Sequence, residues 1–250
     1  MLLDPTATRA VVEAYLAEHE AGLIAFRRQL HSMPELSGQE YGTTEAIEER
    51  LRTAGLSPVR LKTGTGLVCD IGTGHGPVVA LRADIDALAM TDHKAVPYRS
   101  RVDGVAHACG HDVHTAVVLG AGMALWRAGA VPEGTRVRLV FEPSEESVPG
   151  GAVDVIAEGW FDDVDAVFGV HCDPKVDVGS VGLRAGPLTS ATDMVVVSVR
   201  GPGGHTARPE LTVDLLSAIG RLLTEVPDRV GGEAGGPVRV VFGSVHAGDA

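Results

Sequence analysis

His107-Ala108-Cys109-Gly110-His111-Asp112-Val113-His114 is the stretch around which the chain is organised. Its eight residues hold three imidazoles, a thiol and a carboxylate, in a chain with ten His and three Cys altogether. Imidazole and thiolate are the usual ligands of borderline-soft divalent metals. Cys109 and His111 flank Gly110. In an extended turn, side chains two residues apart point the same way and reach one ion, whereas on a helix they diverge. The pair is therefore expected in a loop, with a helix from about Asp112 to Arg127 behind it. Val113, Val117, Leu119, Met123 and Trp126 are among the apolar positions of that helix. A lone Cys or His is usually an inert core residue, but a cluster of this kind reads as a metal site.

The segments on either side repeat one arrangement. Leu67 to Ile71 and Val78 to Arg82 read as strands, separated by a Gly-rich turn at 72–77, and the second runs into Asp84-Ile85-Asp86. Thr135 to Phe141 reads as a strand ending in Glu142-Pro143-Ser144-Glu145-Glu146. Carboxylates crowded in this way repel one another unless protons or cations compensate. A helix from about Ala152 to Glu158 follows, then a strand from Asp165 to Val170 that delivers His171. Each strand end taken alone has an ordinary explanation in capping or solvation; the recurrence argues for a site. Alternation of strand, ligand loop and helix predicts an α/β fold, a largely parallel sheet with helices on both faces. Its ligand edge, where open α/β sheets bind, would gather Asp86, Cys109, His111, Glu145, Glu146 and His171.

Upstream, residues 9 to 31 read as a helix that Pro34 ends, and Ser37-Gly38-Gln39-Glu40 has the spacing of a capping box for a second helix reaching Ala54. The turn His31, Pro34, Glu35 and Leu36 suggests no chemistry by spacing alone. From Gly186-Pro187 the character changes: a strand at Met194 to Arg200, the turn GPGGHTARP at 201–209, a helix from about Thr212 to Val226 and a strand at Val238 to Val245. This predicts a catalytic α/β domain over 1–186 and the beginning of a smaller α+β domain over 187–250. The Gly-rich turn lacks the Gly-Lys-Ser/Thr ending of a phosphate loop.

Bulk properties narrow the classes. With 250 residues, 44% hydrophobic and 22% charged, the chain has ample material for a core. A net charge of −12 argues against nucleic acid as a partner. No apolar run approaches the roughly 20 residues of a membrane span. Cys69, Cys109 and Cys172, odd in number and widely spaced, do not form a disulfide framework, so a cytoplasmic location is expected.

Six segments together resemble the amidohydrolase branch of the aminoacylase and carboxypeptidase G peptidase family, which includes hippurate, N-acyl-amino-acid and indoleacetyl-amino-acid hydrolases. They are RRQLHSMPELSGQE (27–40), LRADIDAL (81–88), HACGHDVHTA (107–116), RLVFEPSEES with the following GGA (138–152), FGVH (168–171) and GPGGHTARP (201–209), in the family's order. The resemblance implies a divalent metal cofactor, two ions per site, drawn from Zn, Mn, Co or Ni. It implies Cys109, His111, Glu146 and His171 as metal ligands and Glu145 as general base. Asp86 would orient the site, and His205 would stabilise the oxyanion from a lid and dimerisation domain. The implied substrate is a small N-acyl amino acid, cleaved at its amide, and the implied assembly is a homodimer through the lid.

This sequence departs from the family pattern in having Glu142 where Gln is common and Glu210 where His is common. The family also continues beyond Gly248-Asp249-Ala250 with the rest of the lid, more catalytic domain and a last His ligand. A second expectation is accordingly a truncated homologue that binds metal without turnover. A third is a thiol enzyme with Cys109 as nucleophile, which leaves Glu145 and Glu146 without a task.

Overall fold

A computed structural model describes residues 5–189, 192–205, 207–233 and 238–247. The chain divides into two compact units, 1–185 and 186–250.

In the first unit, helix α1 (Pro5–Ser32) and helix α2 (Tyr41–Thr53) precede strands β1 (Val59–Arg60), β2 (Leu67–Ile71) and β3 (Val78–Asp84). Helix α3 (His111–Arg127), strand β4 (Arg136–Glu142), helix α4 (Ala152–Ala157) and strand β5 (Ala166–Gly169) complete it. The sheet order is β1-β2-β4-β3-β5. The α/β expectation holds, with the sheet mixed: β3 pairs in parallel with β4 and β5, while β2 runs antiparallel to β4 and to β1. The short Gly-rich turn after β2 does not return the chain beside β2. Instead β4 inserts between β2 and β3, a rearrangement that no local pattern encodes.

Helices cover both faces. On one, Phe26 and Leu30 of α1, Ile47 and Leu51 of α2, and Val118 and Leu119 of α3 pack on Leu67, Cys69, Ile71, Ala83, Leu139 and Phe141. On the other, Val155 of α4 packs with Val68, Ala80 and Val140. The central strands are buried on both sides and read as near-continuous apolar runs.

Helix α3 approaches unusually closely. A Cβ on Gly122 would sit 2.5 Å from Leu139 Cδ1, and one on Gly120 would sit 2.9 Å from Leu23 Cδ1. The face turned inward is therefore the small-residue face, with Val118, Leu119 and Ala124 buried, whereas Val117 and Trp126 are exposed.

The second unit holds a 3₁₀ turn (Pro209–Leu211) and helix α5 (Leu215–Glu233), three residues later at its start than expected from Thr212. The strands expected at 194–200 and 238–245 are not formed among the described residues. Met194, Val195, Val196 and Val197 are exposed, so the apolar run has no pairing partner there, and a strand without a ladder is not a stable element.

Candidate metal centre

The site is assembled where β3, β4 and β5 end and α3 begins. Helix α3 starts directly behind Cys109 because Gly110 takes a left-handed backbone, φ 91°. A side chain at Gly110 would meet Cys172 Cβ and Sγ at 3.0 Å, so both conformation and space call for glycine. The turn keeps Cys109 out of the helix and turns His111, its first residue, inward.

Cys109, His111 and Glu146 lie with ligand atoms all within 4.8 Å of one another. His171, just past β5, is 3.4 Å from Cys109 Sγ through Nε2. Around His111 Nε2 stand Glu146 Oε1 at 3.6 Å, Asp84 Oδ1 at 3.7 Å and Glu145 Oε2 at 3.9 Å. Of the residues expected to converge, Cys109, His111, Glu145, Glu146 and His171 lie together, with Asp86 directly behind His111. His205 belongs to the second unit, where its Nδ1 accepts the Ala207 N–H at 3.1 Å.

Asp86 sits behind His111 with Oδ1 3.1 Å from Nδ1. Its Oδ2 accepts the Ser37 hydroxyl at 2.6 Å and the Glu146 N–H at 3.0 Å. Burial alone would raise its carboxyl, yet these three hydrogen bonds outweigh burial and hold it below the usual range. Ionised, it accepts only, which assigns the proton of a neutral His111 ring to Nδ1 and leaves the Nε2 lone pair facing the acidic cluster.

Asp84, His111 and His114 form a second group of suitable composition. His114 and Asp84 were not singled out as site residues by sequence, although both stand inside the decisive motifs. His114 Nδ1 lies 2.6 Å from Asp84 Oδ1, and its Nε2 accepts the Cys172 N–H at 2.8 Å. With both ring nitrogens engaged, His114 is a brace that ties β3 to the 171–172 segment. Asp84 also accepts from Arg82 at 2.6 Å. Burial pushes its carboxyl up, but the His114 hydrogen bond with the charges of His111 and Arg82 prevails and holds it at about 2.

The turn that spacing left unassigned supplies further supports. The Glu35 carboxylate accepts the Gly42 and Thr43 N–H groups at 2.9 and 2.7 Å, capping α2. The capping box expected at 37–40 is not formed: Glu40 precedes α2 without a side-chain cap, and Ser37 reaches Asp86 instead. His31 is buried between Asp112, 2.8 Å away, and Asp92, 3.3 Å away, and Arg27 joins Asp112 at 2.8 Å. This network anchors the residue next to His111.

Three observations fit a divalent cation. His111 Nε2 is buried without a hydrogen-bond partner. Burial, then Glu146 and Asp84, push the Glu145 carboxyl up. Burial and then the nearby Glu146, Asp84 and Glu145 charges push the Cys109 thiol to about 12. The first is an open lone pair, the other two are the effect of negative charge gathered in a partly buried place, and thiol, imidazole and carboxylate together suit the borderline divalent metals. The same shift counts against Cys109 as a nucleophile, which requires a lowered thiol pKa.

The model of the peptidase family M20/M25/M40 matches residues 80–242. A putative glutamate–cysteine ligase 2-3 of Rhodococcus jostii (strain RHA1) is 50% identical over 205 residues, 82% of this chain and 26% of that protein. The N-acetyl-L-cysteine deacetylase of Bacillus subtilis (strain 168) is 43% identical over 211 residues, 83% of this chain and 50% of that one. Among solved structures, the Bacillus subtilis YXEP protein, a dinuclear metal binding peptidase from the M20 family, gives a TM-score of 0.64 at 41% identity. That likeness covers 70% of this chain and 48% of the other. The chain thus spans half or less of the length of these relatives. Motifs, the likeness to a solved relative and a matched segment of more than half the chain agree: the chain belongs to the peptidase family M20/M25/M40, in its amidohydrolase branch.

Proposed function

We propose that the site belongs to a metal-dependent amidohydrolase that releases an amino acid from a small N-acyl amino acid. The single observation that carries this reading is the buried His111 Nε2, without a hydrogen-bond partner, beside Cys109 and Glu146, with Glu145 next in sequence and its carboxylate 3.9 Å from that nitrogen. Cys109, His111, Glu146 and His171 are the proposed ligands of one or two divalent ions, Zn, Mn, Co or Ni. When bound, such an ion polarises the scissile carbonyl and acidifies a water molecule.

Glu145 then takes the proton of the attacking water through its carboxylate and returns it to the leaving nitrogen. Glu146 cannot share the role while it serves as ligand, so adjacent glutamates divide the work. Asp86 holds His111 in the tautomer that offers Nε2. His205, as a hydrogen-bond donor from the unit at 187–250, would steady the tetrahedral oxyanion. The same reading takes 1–186 as the catalytic domain and 187–250 as lid and dimerisation surface. A cytoplasmic location suits a site that needs the Cys109 thiol reduced, and Cys69 and Cys172 are free as well.

The N-acetyl-L-cysteine deacetylase relative supports an N-acyl amino acid as substrate. The test is amino-acid release from a panel of N-acyl amino acids by metal-loaded protein, beside Glu145→Ala. Release that chelator abolishes and the variant lacks is expected. Release that survives Glu145→Ala would contradict the assignment of the base.

A further inference from the structure

We propose that Glu40 is a positioning residue for the proton-shuttling and metal-binding glutamates, acting through the backbone of Ser144. Glu40 is fully buried, directly before α2, and its carboxylate spends nothing on the helix it precedes. Its Oε1 accepts three hydrogen bonds: from the Gly38 N–H at 2.9 Å, the Ser144 N–H at 2.8 Å and the Ser144 hydroxyl at 3.4 Å. The second oxygen, Oε2, is buried without a hydrogen-bond partner. A buried carboxylate is costly to keep, so what it holds must need holding.

What it holds is Ser144, which among the described residues is the one non-glycine with a positive φ, 56°. A left-handed serine is strained and persists only where its surroundings enforce it. Ser144 is also the residue before Glu145. The strained turn therefore sets the direction in which the next two carboxylates leave β4. Its carbonyl is tied down too, accepting the Gly151 N–H at 3.2 Å and the Ser147 hydroxyl at 3.1 Å. The strap at 35–40 grips the site twice. Ser37 donates to Asp86, which in turn accepts the Glu146 N–H, while Glu40 receives the Ser144 N–H. The strap is itself fixed to the end of β3, where the Ala87 N–H donates to the Glu35 carbonyl at 2.8 Å. Two acceptors, Glu40 and Asp86, thus hold the backbone amides on either side of Glu145.

The inference rests on the reading of Glu145 as base and Glu146 as ligand, and the test separates the two. Glu40→Met keeps the bulk but removes the acceptor. Glu40→Gln keeps an oxygen where all three donors point, and Glu40→Asp keeps the charge but withdraws it from Ser144. The readouts are amide hydrogen exchange of the 142–147 segment in metal-free protein, Co²⁺ binding followed by its visible spectrum, and kcat against KM on an N-acyl amino acid. Glu40→Met and Glu40→Asp are expected to speed exchange of the segment, weaken Co²⁺ binding by about tenfold and lower kcat by a similar factor, with KM little changed. Glu40→Gln is expected to stay within about threefold of wild type in all three, as rescue by a conserved acceptor requires. Should Glu40→Met fail to fold, Glu40→Asp carries the same expectation. Unchanged exchange and Co²⁺ affinity in Glu40→Asp or Glu40→Met would overturn the proposal. A wild-type protein that takes up no Co²⁺ would overturn the metal reading and the positioning role with it, whereas wild-type uptake with indifferent variants would overturn the positioning role alone.

Discussion

Asp86 Oδ1 lies 3.1 Å from His111 Nδ1, and the other oxygen of the same carboxylate accepts the backbone N–H of Glu146 at 3.0 Å. One buried side chain therefore fixes the ring tautomer of one candidate ligand and the backbone of another. Replacing Asp86 with Ala leaves Nδ1 unpartnered and frees the Glu146 amide. Metal affinity is expected to fall by about 10- to 100-fold. Isothermal titration with Zn²⁺ measures it, with Asp86→Asn expected to fall between the two because its amide still accepts at one oxygen.

The Cys109 thiol is held up at about 12, by burial first and the surrounding carboxylates next. A thiolate ligand must lose that proton on metal uptake. Zn²⁺ added to weakly buffered metal-free protein at pH 7 is expected to release at least one proton per site, and affinity should rise with pH. Cys109→Ser should suppress most of the release. The metal-free thiol is also expected to alkylate slowly, since little thiolate is present at neutral pH.

Much of this centre was legible in the sequence, and the reasons are local. Cys109, His111, Glu145, Glu146 and His171 stand at strand ends or a helix start, where the alternation of elements predicts their convergence. The supports were not legible, because Glu35, Glu40, His31 and His114 act across gaps in sequence. Glu40 reaches Ser144 and His31 reaches Asp112, pairings that no spacing rule reports. Insertion of β4 between β2 and β3 was hidden for the same reason. On α3, Leu119 is buried as its pattern suggests, but Val117 and Trp126 are exposed, and Gly120 and Gly122 form the close contact. In the second unit, the apolar β-branched runs at 194–200 and 238–245 satisfy the strand pattern but form no strand among the described residues.

That close contact makes its own prediction. Gly122→Ala places a methyl group 2.5 Å from Leu139 Cδ1, a side chain of the buried core. Overpacking of this kind costs about 1–3 kcal/mol, against a helix-propensity gain of somewhat under 1 kcal/mol. Net destabilisation is expected in urea unfolding. Gly129→Ala, whose Cβ meets nothing but whose φ is 56°, separates backbone strain from overpacking.

Asp92 provides a pH-dependent test. Burial would raise its carboxyl, but the Ser100 and Lys94 N–H groups, at 3.0 Å each, with the charges of Lys94 and His31, hold it at about 2. A carboxylate whose pKa is depressed in the folded state stabilises above its unfolded pKa and loses that contribution as pH falls through the folded one. Asp92→Asn is therefore expected to lower the unfolding free energy at pH 7. The unfolding free energies of variant and wild type should converge as the pH drops below the unfolded value of 3.8 towards 2. A difference that is constant with pH would show that the hydrogen bonds, rather than the charge, carry the effect.

The most direct test of the central claim is X-ray absorption at the zinc edge on Zn²⁺-loaded protein, beside Cys109→Ser. If Cys109, His111, Glu146 and His171 hold the metal, the spectrum contains one sulfur at about 2.3 Å with nitrogen and oxygen neighbours near 2.0–2.2 Å, and the sulfur shell disappears in the variant. A wild-type spectrum without sulfur, or one unchanged by Cys109→Ser, would contradict the account.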